Sequence, residues 1–208
     1  TFRCINRQFF FKSINSKKFI LKVWAKYAEK HGVQFVDWII MDNHAHAIVR
    51  IGTVESLGNF MRTTNSLIAR YVNKQLGRDS HALRERYKSP VIKSTRQTFN
   101  TIAYVWMNRV RTGGIPPKRD PFCSLYYRIN RRPNKLVASY SSLGFAPRFG
   151  SAKLAEQIYA VAIRFKGSAS VYEHAHTIGT PTEVRERTKE IRGLRRLDCS
   201  RAPPLSYG

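Results

Sequence analysis

Acid is what this chain has least of. Thirteen Asp and Glu stand against 37 Lys and Arg, a formal net charge of +24. An enzyme of neutral small molecules has no use for that imbalance, and the field it creates draws in polyanions. Cysteine is scarcer still. Cys4, Cys123 and Cys199 are scattered and odd in number, so they form no disulfide framework and no C-x-x-C ligand pair. A reducing, cytosolic setting fits. Long apolar runs are also missing, and none approaches membrane-spanning length. With no span to anchor it, the charge points to nucleic acid ahead of a membrane surface.

What is present suffices for a folded body. The 208 residues are 42% apolar, enough for one good-sized domain or a domain with an appendage. Thr1 falls in what reads as the middle of a strand and there is no initiator Met, so further residues are expected upstream. Alternation predicts a strand over Thr1–Arg7. Helical spacing of Phe19, Ile20, Val23, Trp24 and Tyr27 predicts a helix from Ser16 to Lys30, ended by His31-Gly32. Val33 to Met41 and His44 to Ile51 read as a β-hairpin about the Asp42-Asn43 turn. A long helix follows from Ser56 to Leu76, with Gly77 at its end. Pro90–Lys93 suits a short strand. Ser94 and Gln97 make a capping box for a helix through Ile102, Tyr104 and Asn108. Gly113-Gly114-Ile115-Pro116-Pro117 is the best internal boundary. Ala152–Lys166 and Thr182–Leu197 read as further helices. The order describes an α+β fold, a ferredoxin-like antiparallel sheet with helices packed on one face.

Chemistry concentrates in Met41–Val49. Side chains of a strand alternate, so His44 and His46 share one face while Ala45 and Ala47 share the other. Two imidazoles about 7 Å apart along a strand can share a divalent metal. A lone H-x-H is more often packing, so the pair needs company. Tyr104 and Asn108, spaced i, i+4, lie on one face of their helix. Packed beside the hairpin, Asn108 would lend an amide oxygen to the metal and Tyr104 would face a bound phosphate. Mg²⁺ or Mn²⁺ accepts such mixed ligands and leaves positions for phosphate oxygens. A tyrosine attacking a phosphodiester keeps the bond energy in a phosphotyrosine. Tyr71 is the rival nucleophile, but it sits on the apolar stripe with Ile68 and Val72. A second H-x-H, His174-Ala175-His176, has no flanking strand and reads as a loop or helix-end pair.

Residues 62–132 hold sixteen Lys and Arg against three Asp and Glu. Arg84, Arg86, Tyr87 and Lys88 read as a phosphate clamp with an aromatic platform, against the bland reading of a solvated loop. Arg111, Lys118, Arg119, Arg128, Arg131 and Arg132 repeat the pattern among Phe122, Tyr126 and Tyr127.

Met41-Asp42-Asn43-His44-Ala45-His46-Ala47-Ile48-Val49 resembles the M-P-N-H-x-H-x-x-V signature of the IS200-like, REP-associated tyrosine transposases, which are single-tyrosine HUH enzymes. Leu83–Ser89 resembles their W-Q-x-R-[FY]-x-S segment. Tyr104–Gly114 resembles their Y-I-x-x-N-P-V-R-A-G block, and Thr1–Arg7 their first strand. The chain departs from the pattern twice: Asp42 and Arg109 stand where the family has proline. Losing the second proline removes a helix stop.

The resemblance, over roughly residues 1–130, implies metal-dependent cleavage and rejoining of single-stranded DNA near a palindromic or hairpin element. It implies Tyr104 as nucleophile taking the 5′ phosphate, and His44, His46 and Asn108 as ligands of Mg²⁺ or Mn²⁺. Arg84, Arg86, Tyr87, Lys88, Arg109 and Arg111 are the expected DNA contacts. The implied setting is the bacterial cytoplasm at the nucleoid, with a monomer or homodimer and no membrane. The expected division is a catalytic core over 1–117, a basic aromatic segment over 118–150 that completes the core or binds DNA, and a basic extension over 151–208. The alternatives are a non-catalytic relative that only binds hairpin DNA or RNA, and a metal phosphoesterase in which water attacks.

Overall fold

The computed structural model describes residues 1–84, 87–140, 142–144 and 150–164. Three antiparallel strands form the sheet. Beta1 (Phe2–Arg3) pairs with one edge of β3 (His44–Ile51), and β2 (Val33–Ile40) pairs with the other. Helices α1 (Ile14–Lys30) and α2 (Val54–Leu76) cover one face. Helices α3 (Thr95–Arg111) and α5 (Ser151–Arg164) lie on the other, with the short α4 (Ser124–Ile129) at the β2 side. The architecture is the expected α+β antiparallel sheet with helices packed on it, but the helices cover both faces rather than one, and α3 belongs to the layer that faces the histidines.

Local signals set the helix ends. Ser13 Oγ caps α1 by accepting from Ser16 N–H at 3.0 Å, which starts the helix two residues earlier than its apolar stripe suggests. Thr53 caps α2 in the same way, and Gly77 ends it in the left-handed conformation at φ 57°. The capping box of α3 is formed: Ser94 Oγ accepts from Gln97 N–H at 3.2 Å, and Gln97 Oε1 accepts from Lys93 N–H at 2.8 Å. Two expected strands differ. Of Thr1–Arg7 only Phe2–Arg3 joins the sheet and Cys4 adds a single bridge to Leu83, because Ile5–Arg7 is a 3₁₀ turn in which Asn6 and Arg7 take positive φ. Pro90–Lys93 forms no strand and leads into the α3 cap.

Period-two alternation sorts β3. Ala45 faces the α1–α2 core with Ala47, Val49 and Ile51 beside it, while Ile48 packs toward α3. Beta2 carries a bulge at Val36, where the register slips between Phe35 and Asp37. The bulge turns Val36 and Asp37 toward the α3 side together. Asp37 is fully buried there. Its Oδ1 accepts from Arg128 Nε (3.0 Å), Ser124 Oγ (2.6 Å) and Trp106 Nε1 (3.2 Å), and its Oδ2 from the Tyr140 hydroxyl (2.9 Å). Arg128 also donates to the carbonyls of Val36 and Ala138 and lies 3.9 Å from the centre of the Tyr140 ring. Burial, then the Asp37 charge, holds the Tyr140 phenol well above its usual range, so it stays a donor. One carboxylate thus joins β2, α3, α4 and the segment before α5. Phe122, Leu125, Leu136, Tyr140 and Leu143 are buried, so the segment after Pro117 is part of the core.

Candidate active site

Beta3 and α3 place the expected chemistry together. The His44 and His46 rings lie 4.9 Å apart, edge to face. The Tyr104 ring meets His46 edge-on at 5.3 Å, and the Arg111 guanidinium lies 5.1 Å from the centre of the Tyr104 ring. Both contacts are made within one chain. Tyr104, Asn108 and Arg111 form an i, i+4, i+7 stripe on α3. The Asn108 Nδ2 donates to the Tyr104 carbonyl at 2.8 Å. Alpha3 runs toward the β-hairpin turn, because Arg109 bonds to Ile40 and Asp42 there. Four helix residues advance about 6 Å and two strand residues about 6.7 Å. With Tyr104 at His46, the α3 residues that follow run toward the His44 end of β3.

A neighbouring amide oxygen sets the His44 tautomer. His44 Nδ1 lies 2.6 Å from Asn43 Oδ1, an atom that only accepts, so Nδ1 carries the proton and Nε2 the lone pair. His46 Nδ1 lies 2.8 Å from Thr1 Oγ1, and its Nε2 is buried. Burial, then the Arg3 and Arg109 charges, pushes His44 down to about 4, so the ring is neutral at physiological pH. Neutral imidazoles with the second nitrogen held by an oxygen are the form that ligates metal. Among the described residues no three His, Cys, Asp or Glu side chains cluster. The two imidazole nitrogens and the Asn108 amide oxygen are a mixed N/O set of the kind that Mg²⁺ and Mn²⁺ accept.

The expected DNA contacts divide. A cavity of about 260 Å³ runs along β3 beside His46, and Tyr87 and Lys88 line it with Thr101 and Val105 of α3. Arg84 is exposed beside β1, its N–H bonded to the Arg3 carbonyl at 3.0 Å. Arg111 lies over the Tyr104 ring. Arg86, the second H-x-H and Thr182–Leu197 lie outside the described residues.

Arg109 requires a correction. It is buried, and its guanidinium donates to Asp120 Oδ2 (2.8 Å), Asp42 Oδ1 (3.2 Å) and the Ile40 carbonyl (2.6 Å). With its donors engaged inside the fold it is a tie between α3 and the β-hairpin, not a phosphate contact. Arg128, expected in the second basic cluster, is likewise committed to Asp37.

The two departures from the proline pattern, Asp42 and Arg109, are thus ion-paired with each other, and Lys17 joins at 2.5 Å from Asp42 Oδ1. Burial opposes the Asp42 charge, but Lys17 and Arg109 outweigh it and hold its carboxyl below the usual value. Without the proline stop, α3 continues to Arg111 and turns at Gly113, at φ 73°. Gly114 then passes so close that a Cβ there would meet Arg109 Cδ at 2.5 Å. Arg109→Lys keeps the charge, but one ammonium cannot serve two carboxylates and a carbonyl. The expected cost is about 1–3 kcal/mol by urea unfolding.

An antiparallel sheet bearing an H-x-H pair, with a tyrosine helix packed across it, has the layout of the HUH fold. Residues 1–105 match the family model described as Transposase IS200 like, and the chain belongs to the IS200-like transposase family. The match takes in His44, His46 and Tyr104 and stops short of Asn108. No curated protein and no solved structure matches. Membership makes DNA the partner. No helix among the described residues is long and apolar enough to cross a membrane.

Proposed function

We propose that the protein cleaves and rejoins single-stranded DNA beside hairpin or palindromic repeats, as a REP-associated kind of single-tyrosine transposase. The observation that carries this reading is the packing of the Tyr104 ring against His46 in the same chain. The Tyr104 oxygen attacks the phosphorus, the bond to the 3′ oxygen breaks, and the 3′ hydroxyl leaves with a proton. The 5′ phosphate stays on the tyrosine until a 3′ hydroxyl attacks it in the reverse sense. A free tyrosine has a pKa of about 10. The Arg111 guanidinium over the ring favours the phenolate as it forms. His44, His46 and Asn108 would hold Mg²⁺ or Mn²⁺, with Asn43 and Thr1 orienting the two rings. A cation bound there polarises the phosphoryl oxygens. Tyr87 and Lys88, at the mouth of the cavity beside His46, hold the strand by base stacking and phosphate contact.

The test is a denaturing gel of protein with labelled oligonucleotide and Mg²⁺ or Mn²⁺. A protein-linked band is expected. Binding without the band would make the chain a non-catalytic relative, and cleaved product without the band would mean that water attacks. The double variant His44→Ala/His46→Ala is expected to lose the band and to lose Mn²⁺ binding by calorimetry, while its thermal unfolding stays cooperative.

A further inference from the structure

Helices α1 and α2 run antiparallel. Phe19 stacks on Tyr71 with centroids 4.0 Å apart, and His31 meets Phe60 at 6.4 Å near the other end. By that register Lys18 is level with Lys74, Lys22 with Arg70 and Lys30 with Arg62, the last turned toward its own helix, where it donates to Asn59 Oδ1 at 3.3 Å. These six and Lys26 are all exposed. Lys18, Lys22, Lys26 and Lys30 recur every four residues, so they form one row of about 18 Å, advancing about 6 Å per step. Only Glu29 and Glu55 are exposed acids on the two helices. Among the described residues none of the seven cations is in an ion pair, since the paired bases are Lys17, Arg109 and Arg128. Like charges at i, i+4 destabilise a helix, so the row does not serve α1 itself.

We propose that this face docks the backbone of double-stranded DNA, at a surface separate from the Tyr104 site. The inference rests on the reading of DNA as partner. The sheet lies between the two surfaces, because Ala45 and Ala47 face α1–α2 and the histidines face α3. Duplex DNA carries a charge every ~1.7 Å of axis, and seven cations over about 18 Å supply one every ~2.6 Å. Single strands are held by aromatic platforms that stack unpaired bases. Here Phe19 and Tyr71 stack on each other, and Tyr27 lies beneath Lys26 and Lys30 at 5.4 and 6.0 Å. The face therefore reads phosphates, not bases. A membrane is disfavoured because Ile20, Val23, Trp24, Phe60, Ile68 and Val72 are buried and cannot insert.

The test compares the full chain with Lys18→Gln/Lys22→Gln/Lys26→Gln/Lys30→Gln, and independently with Arg62→Gln/Arg70→Gln/Lys74→Gln. Glutamine keeps helix propensity. Binding to a blunt duplex is followed by fluorescence anisotropy across a salt series. The lysine variant is expected to lose roughly tenfold or more in affinity at moderate salt, and its slope of log K against log salt to fall by about 3–4; the α2 variant should lose about 3. Adduct formation on a single-stranded oligonucleotide should be unchanged in both. Unchanged duplex affinity and slope in either variant overturns the proposal. So does an equal loss of single-strand binding, or a loss confined to anionic lipid vesicles. A wild-type chain that forms no adduct, with duplex binding lost in the variants, would sink the catalytic reading and leave this one standing.

Discussion

Tyr104→Phe is expected to abolish the covalent DNA adduct and leave affinity for the same oligonucleotide within about twofold. Only one oxygen is removed. The ring that meets His46 and lies under Arg111 remains, so packing of α3 on β3 is kept. Loss of the attacking atom should lower adduct formation at least ~10³-fold, more than about 4 kcal/mol of barrier at 1.36 kcal/mol per tenfold. The gel reads this directly. An adduct that survives in the Phe variant would move the nucleophile elsewhere. Tyr71 cannot easily take its place, since it is stacked on Phe19 in the α1–α2 layer, across the sheet from the histidines.

The second large effect is on stability. Asp37→Ala should cost about 3–5 kcal/mol in urea unfolding, because it leaves the buried Arg128 guanidinium without its counter-charge. It also removes the acceptor on which the Ser124, Trp106 and Tyr140 donors converge, although Trp106 Nε1 keeps Ser124 Oγ at 3.1 Å. Removing both charges, as Asp37→Leu/Arg128→Met, is expected to recover much of that loss, since the desolvation cost of the pair disappears with it. If Asp37→Ala proved nearly neutral, the network would not be what joins the α4 region to the sheet.

Local physics was legible in the sequence and long-range pairing was not. The shared face of His44 and His46 follows from strand alternation, the stripe of Tyr104 and Asn108 from helical spacing, and the start of α3 from Ser94 and Gln97. Each needs only a few neighbouring residues. In the sequence Arg109 and Arg128 show only their charge, and charge says nothing about a partner far along the chain. Asp42 is 67 residues from Arg109, and Asp37 is 91 from Arg128. The bulge at Val36 was hidden for a related reason. It depends on which residues of β3 oppose β2, and a single strand does not reveal that. At β1 the alternation continues past Arg3, while the backbone turns into a 3₁₀ helix at Ile5.

The bond between Asp42 and Arg109 bears on how such a sequence arises. An acid alone at the first position would face only Lys17, and a base alone at the second would press a buried cation against the hairpin with Asp120 as its sole carboxylate. Lineages carrying this version of the motif should therefore have exchanged both prolines in concert. Across relatives, an acidic residue before Asn-His should travel with arginine directly after the α3 asparagine, and mixed combinations should be rare.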